Sequence, residues 1–306
     1  MPENRDADVG GGIVEGQIYH DAGVCSDSYE PRPGDLCVVT YFSRCGGDWV
    51  QTIVRYILHG TQPRPKPMVS DTVQDRQASK AEPRPPSILT HLPFRLVFRP
   101  GNAKYIYIAR NPYDCSALLY EQTVNAKGKS LEDALEDFPA FFDDFVRGRT
   151  PCGDYLADLV LWYERRFDDN VLFLTYEELV EDVKTTAIRI ADFLDEEGEY
   201  GQKLRRNRKM LEKICEELLC RVDREAAQTV GKTTKATVAG DCGTAEQQST
   251  NWFSRRPLFI EKIENGKQQL SHSSIFTLDM VNNLEQHVTA VAGANCRVMQ
   301  LWRCGD

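Results

Sequence analysis

The nine residues YFSRCGGDW (41–49) set Arg44, Cys45, a Gly46–Gly47 pair and Asp48 between an apolar run and a helical pattern. A glycine-rich turn from strand into helix suits an anion, because the first N–H groups of the helix are unpaired and its dipole is positive there. An arginine in such a turn can stabilise negative charge on a departing oxygen. Asp48 runs against this, since its carboxylate lies where the anion belongs, yet aspartate is also favourable in the first turn of any helix. Farther along, His91 follows the apolar ILT and precedes Leu92 and Pro93. A neutral imidazole there can take a proton from a hydroxyl; its plainer reading is a structural histidine. Arg110 closes the apolar run YIYIAR, where parallel sheets gather their ligands. The competing reading of Arg110 is a surface salt bridge.

These residues need elements to hold them. DLCVVTYF (35–42) reads as a buried parallel strand, and the helix after it carries an apolar stripe of Val50, Ile53, Val54, Ile57 and Leu58. Gly60 stops that helix. KYIYIARNP (104–112) reads as a second strand, halted by an Asn-Pro turn. Ser130 to Val146 is expected to be a helix opened by a Ser130–Asp133 capping box. DNVLFLTYEEL (169–179) reads as a third strand, feeding a helix that ends near Leu194. A last helix spans about Leu278 to Val291, before VMQLW as strand or coil. Strands alternating with helices imply an α/β fold: a single domain with a central parallel sheet, helices on both faces and a P-loop-like strand–turn–helix. The polar residues 1–16 are expected to be disordered and the domain to run over 17–306, with the proline-rich 61–87 and the polar 225–250 as mobile loops.

Composition narrows the function. The 306 residues carry a formal net charge of −9, which argues against a nucleic-acid partner. None of the ten cysteines forms a C-x-x-C pair, so no structural zinc site, and no metal, is expected. The first residues lack the basic and apolar segments of a signal peptide, and no apolar run reaches the length of about 18 that spans a membrane. A cytoplasmic protein with reduced thiols and no membrane partner is the expectation. Two other glycine motifs lack their context: no strand precedes GGGIVEG (10–16), and VGKT (230–233) has Ala226 where the earlier glycine of a triphosphate loop is required.

Taken together, several blocks resemble the cytosolic sulfotransferases. YFSRCGGDW resembles that family's T-Y-P-K-S-G-T-T-W turn, and ILTHLPF (88–94) is similar to its K-T-H-L-P segment. YIYIARNPYDCSALLY (105–120) is similar to Y-V-A-R-N-P-K-D-x-x-x-S-Y-Y. DFVRGRTPCGDYLADLVLWYERR (144–166) and NVLFLTYEELVED (170–182) resemble the F-x-x-G…W-W and V-L-x-L-x-Y-E-D blocks, in the family's order. The resemblance implies a transferase that moves a sulfuryl group from 3′-phosphoadenosine 5′-phosphosulfate (PAPS) to a hydroxyl or amine, with no metal. It implies His91 as the base and Arg44, in place of lysine, beside the leaving phosphate. Cys45, Gly46, Gly47, Asp48 and Trp49 would cradle the nucleotide, with Arg110 on its 3′-phosphate and Tyr176 near the adenine. For Trp49 and Tyr176 plain core packing stays open. The acceptor would be a small phenol, amine, sterol or alcohol, in an apolar pocket that includes Phe42, Phe94 and Phe142.

The pattern also breaks. The family's two threonines become Gly47 and Asp48, the lysine ahead of its T-H-L-P becomes Leu89, and a helix serine becomes Leu118. If FIEKIENG (259–266) stands for F-x-R-K-G-x-x-G, its arginine becomes Glu261 while Lys262 remains as a nucleotide ligand. The pairing segment K-x-x-x-T-V-x-x-x-E is replaced around Ser273, Thr277, Leu278 and Asn282, so the family's homodimer is not expected. A second reading follows: a catalytically impaired small-molecule-binding protein on the same scaffold.

Overall fold

The computed structural model describes residues 31, 33–41, 45–60, 87–101, 103–128, 135–195, 197–218, 261–264, 267–270, 276–293 and 296–302. The expectations for 1–16, 61–86 and 225–250 lie outside these residues. Four short parallel strands form the centre: β1 (Leu36–Thr40), β2 (Ile88–Thr90), β3 (Lys104–Ala109) and β4 (Val171–Thr175), in the order β2-β1-β3-β4. Pairing runs Val38 with Leu89, Val38 with Ile106, and Tyr107 with Phe173.

Side chains alternate across this sheet as the two-residue strand period requires. Cys37, Val39, Tyr105, Tyr107 and Ala109 face one apolar cluster. Leu36, Val38, Ile106 and Ile108 face the other. On the first face lie α2 (Phe94–Val97), α3 (Pro112–Ala126), α4 (Phe138–Val146), α5 (Tyr155–Glu164) and α10 (Leu278–Ala292). Across the sheet lie α1 (Gly47–His59), α6 (Tyr176–Glu181), α7 (Val183–Leu194), α8 (Glu199–Arg206) and α9 (208–218). The parallel α/β architecture with helices on both faces is therefore as expected. Among the described residues, no helix is long and apolar enough to cross a membrane.

The stripe on α1 packs as its spacing predicts, with Val50, Ile53 and Val54 fully buried and Ile57 and Leu58 half-buried. Gly60 ends that helix in a left-handed conformation (φ 62°) and donates its N–H to the Tyr56 carbonyl at 2.9 Å.

Elsewhere the structure differs from the sequence expectation. The Asn-Pro pair opens a helix instead of making a turn: Asn111 Oδ1 accepts the Tyr113 N–H at 3.0 Å, and Pro112 takes the first helical position, where no N–H is needed. The helix expected to end near Leu194 is two helices, because Asp182 leaves helical geometry and caps the second through the Thr185 N–H at 3.0 Å. Of the segment up to Val146, the described residues form a 3-10 turn at Leu135–Asp137 and an α-helix at Phe138–Val146; the Ser130–Asp133 capping box lies outside the described residues. VMQLW is a 3-10 helix, Val298–Trp302. Strand β2 has three residues, too few to show a period.

Candidate active site

The four strands point the same way, so their C-terminal ends gather at one edge of the sheet. β1 ends at Thr40, β2 at Thr90, β3 at Ala109 and β4 at Thr175, and each is followed by a candidate residue or segment: Tyr41 and the turn, His91, Arg110, and Tyr176. From β1 the chain moves to one side, to β2; from β3 it moves to the other, to β4. The crevice between β1 and β3 is thus the topological switch point, where open α/β sheets hold ligands.

The turn supplies the left wall. Gly46 adopts φ 91° and caps α1 with its carbonyl, which accepts the N–H groups of Trp49 at 3.1 Å and Val50 at 3.2 Å. Only glycine takes this conformation without strain. Gly47 is confined by its neighbours: a Cβ there would sit 2.5 Å from Leu89 Cδ1 and 3.0 Å from Thr40 Cγ2. Leu89, which is 3% exposed, thus fills the space a side chain at 47 would need. Asp48 lies half-buried in the first turn of α1. Cys45 is buried with its sulfur 3.7 Å from that of Cys115 on α3. Phe42 and Arg44 lie outside the described residues.

Arg110 supplies the right wall. It is 6% exposed, and its guanidinium lies over the Tyr176 ring, 3.9 Å from the centroid. Burial works against its charge, but nearby Tyr176 and Asp114 outweigh that and raise its pKa. Its backbone is held as well: the Arg110 N–H donates to the Tyr155 hydroxyl at 3.1 Å, and that hydroxyl donates in turn to the Arg110 carbonyl. Trp49 lies against Tyr176, with ring centroids 5.8 Å apart, so the turn and Arg110 meet across two aromatic rings.

His91 stands at the mouth, after β2. Its Nδ1 lies 3.0 Å from the Thr40 carbonyl oxygen and 3.0 Å from the Thr40 hydroxyl. A carbonyl oxygen can only accept, so Nδ1 carries the proton and the neutral ring keeps its lone pair on Nε2. The segment that follows is pinned by Asp158 on α5, whose Oδ1 accepts the Phe94 N–H at 2.6 Å and whose Oδ2 accepts the Tyr107 hydroxyl at 3.4 Å. Burial is the main reason that the Asp158 carboxyl is pushed up to about 7.

Of the aromatic residues expected to line an acceptor pocket, Phe94 is half-buried, stacked on Phe98 and edge-on to Trp162. Phe142 is 1% exposed, enclosed by Tyr113, Phe138, Phe145 and Phe276. Lys262 falls on β5 (Glu261–Glu264), which pairs antiparallel with β6 (Lys267–Leu270); the side chains of this hairpin are outside the described residues. The structure therefore brings the Gly46–Trp49 turn, His91, Arg110 and Tyr176 to one edge. Sequence reasoning missed Thr40, Tyr155, Asp158 and Glu177, which hold those groups in place. Strand-terminal Thr40 and the Thr175–Glu178 capping box are legible signals after the fact; buried Asp158 inside an apolar helix pattern is another.

Comparison with known proteins agrees with this architecture. A family model described as the sulfotransferase domain matches residues 33–283. Sulfotransferase 1C2 of Oryctolagus cuniculus is 27% identical over 186 residues, covering 55% of this chain and 60% of the relative. Sulfotransferase 1C2 of Homo sapiens is 26% identical over 227 residues, covering 67% of this chain and 72% of the relative. The chain thus spans about three fifths of the length of the relatives that match it first. Among solved structures, mouse sulfotransferase SULT7A1 complexed with PAP superposes with a TM-score of 0.52 at 19% identity, covering 90% of this chain and 88% of that one. That likeness is one of fold.

Proposed function

The chain belongs to the sulfotransferase-domain family, and on that footing we propose that it transfers a sulfuryl group from PAPS to a hydroxyl or amine of a small molecule. The observation that carries this reading is the convergence of Gly46–Trp49, His91, Arg110 and Tyr176 at the switch point of a parallel sheet. The single-domain reading over 17–306 belongs to the same proposal, supported by a family match that runs from residue 33 to 283.

The residues suit an anionic adenosine nucleotide. A buried arginine with its charge retained, an aromatic pair and a glycine-capped helix start together offer phosphate contacts and ring stacking. Arg110 would hold the 3′-phosphate, the backbone from Cys45 to Trp49 the 5′ side, and Trp49 and Tyr176 the base. When bound, the donor supplies the sulfuryl group and a phosphate that leaves. His91 takes the acceptor's proton at Nε2, since Thr40 fixes the other nitrogen as the donor. Arg44 is assigned to neutralising charge at the leaving side, and Lys262 to the nucleotide. The acceptor is a small phenol, amine, sterol or alcohol, placed near Phe42, Phe94 and Phe142.

One observation favours the second reading, a binding protein with impaired transfer. Leu89 occupies the space beside Gly47, so that wall offers an apolar group in place of a polar one. The test is titration calorimetry with 3′-phosphoadenosine 5′-phosphate (PAP), followed by PAPS-dependent labelling of an acceptor panel. Micromolar binding and turnover that is lost in His91→Ala support transfer. Binding without turnover supports the second reading, and no binding by a folded protein removes both nucleotide roles.

A further inference from the structure

The two carboxylate oxygens of Glu177 join segments far apart in the chain. Oε1 accepts the backbone N–H of Asn111 at 2.9 Å, and Oε2 accepts the indole N–H of Trp302 at 2.8 Å. Asn111 is the residue after Arg110, and Glu177 is the residue after Tyr176, whose ring lies under the Arg110 guanidinium at 3.9 Å. Two consecutive residues at the start of α6 therefore grip two consecutive residues at the end of β3, one pair through side-chain stacking and the other through a backbone hydrogen bond. The Asn111 N–H belongs to neither the sheet nor α3, so this carboxylate gives it its partner.

Trp302 completes the arrangement. Its 3-10 turn is anchored by Val298, which is fully buried, and the indole packs partly buried against the same core cluster. A carboxylate held between two N–H donors keeps its position far better than one bound on a single side, because each charge-assisted bond is shorter and stronger than a neutral one. We propose that Glu177 and Trp302 are positioning residues: together they form a latch that fixes the Arg110–Asn111 strand end, so the turn Val298–Trp302 sets where the anion-binding arginine stands. Its consequence for ligand binding rests on the nucleotide reading given above; the latch itself rests on geometry alone.

Trp302→Phe removes the indole N–H together with the pyrrole half of the ring, whereas Glu177→Gln keeps the size of the side chain and leaves one oxygen to accept where two did. Two measurements on the full chain apply. Hydrogen exchange at the Asn111 amide is expected to quicken in both variants, with melting close to wild type in Glu177→Gln and lowered by lost packing in Trp302→Phe. Affinity for PAP is expected to fall about three- to tenfold, the worth of roughly one hydrogen bond. Affinity for adenosine 5′-phosphate, which lacks the 3′-phosphate, should fall less, so that the ratio narrows. A purely structural tryptophan would leave that ratio unmoved. Unchanged Asn111 exchange in both variants would overturn the latch whether or not the wild type binds nucleotide. Quickened exchange in a protein that binds no PAP would uphold the latch and remove the nucleotide reading instead. Quickened exchange with an unchanged affinity ratio would overturn the claim that the latch places Arg110 for its ligand.

Discussion

The two walls of the crevice are built differently. At the ends of β3 and β4, polar groups are held by other polar groups: the backbone of Arg110 by Tyr155, its guanidinium by the Tyr176 face, and Asn111 by Glu177. Against the ends of β1 and β2, part of the wall is apolar, with Leu89 pressed against Gly47 and Cys45 against Cys115. A charged ligand needs both walls. One presents a buried cation, while the other is filled by apolar packing and carries a carboxylate, Asp48, in its helix turn. Leu89 fills the space beside Gly47, so the scaffold on that side is packed without a polar side chain there.

The comparison breaks most sharply at Arg110. Replacing it with alanine removes a buried cation of the β3–β4 wall, and PAP affinity is expected to fall by about 10- to 150-fold, as loss of a charged hydrogen-bond partner costs roughly 1.5–3 kcal/mol. Calorimetric titration measures this, with circular dichroism to verify the fold. Binding that survives the substitution would place the nucleotide elsewhere.

A pH titration sharpens it next, because the β2 side is pinned by a titratable group. The carboxyl of Asp158 is raised from near 4 in the unfolded chain to about 7, chiefly by burial. The folded protein then holds a proton that the unfolded chain has released. The stabilisation is full below pH about 4, declines as the pH rises and is gone above about 7, at a slope of roughly 1.4 kcal/mol per unit. Asp158→Asn, which keeps an oxygen to accept the Phe94 N–H, should flatten that slope. Denaturant melts at pH 5, 6 and 7 measure it, and equal slopes in both proteins would contradict the assignment.

At Gly47 the expected effect is smaller. Threonine there drives its Cβ into Leu89, and overpacking of this kind costs about 1–3 kcal/mol. Leu89→Ala opens the space, so the double variant should recover most of the loss. A double-mutant cycle by urea denaturation tests this coupling; additive costs would mean that the two residues do not share one space.

Much of this was legible beforehand because it is written in local patterns. The continuous apolar runs of β1, β3 and β4, the Val50–Ile53–Val54 stripe and the glycine turn each announce themselves within a few residues. His91 and Arg110 could be singled out for the same reason: each directly follows an apolar run. What could not be read was their support. Thr40 reaches His91 across 51 positions, Tyr155 reaches Arg110 across 45, and Trp302 reaches Glu177 across 125. No local period encodes such pairs; they exist only once the sheet sets adjacent strand ends side by side. The broken helix at Asp182 shows the complementary failure, where a local cap outweighed a continuing apolar period.

Asp48 is the place where the two walls can be made more alike with least disturbance. Its backbone carbonyl accepts the Thr52 hydroxyl at 2.8 Å, a bond that does not depend on the side chain. Asp48→Asn removes the charge at constant size. The loss in helix stability should stay within about 0.3–1 kcal/mol, the usual worth of a carboxylate in a first turn. Against that stands a gain in anion binding, since like charges about 4 Å apart repel by roughly 1 kcal/mol in water and more near a protein surface. The net expectation is PAP affinity higher by about three- to tenfold, with a small fall in melting temperature. The gain should shrink as salt is added, because a half-exposed charge is screened over about 10 Å at 0.1 M. An affinity unchanged at low salt would mean that Asp48 serves as a helix cap and faces away from the anion, leaving Leu89 as the group that closes this wall.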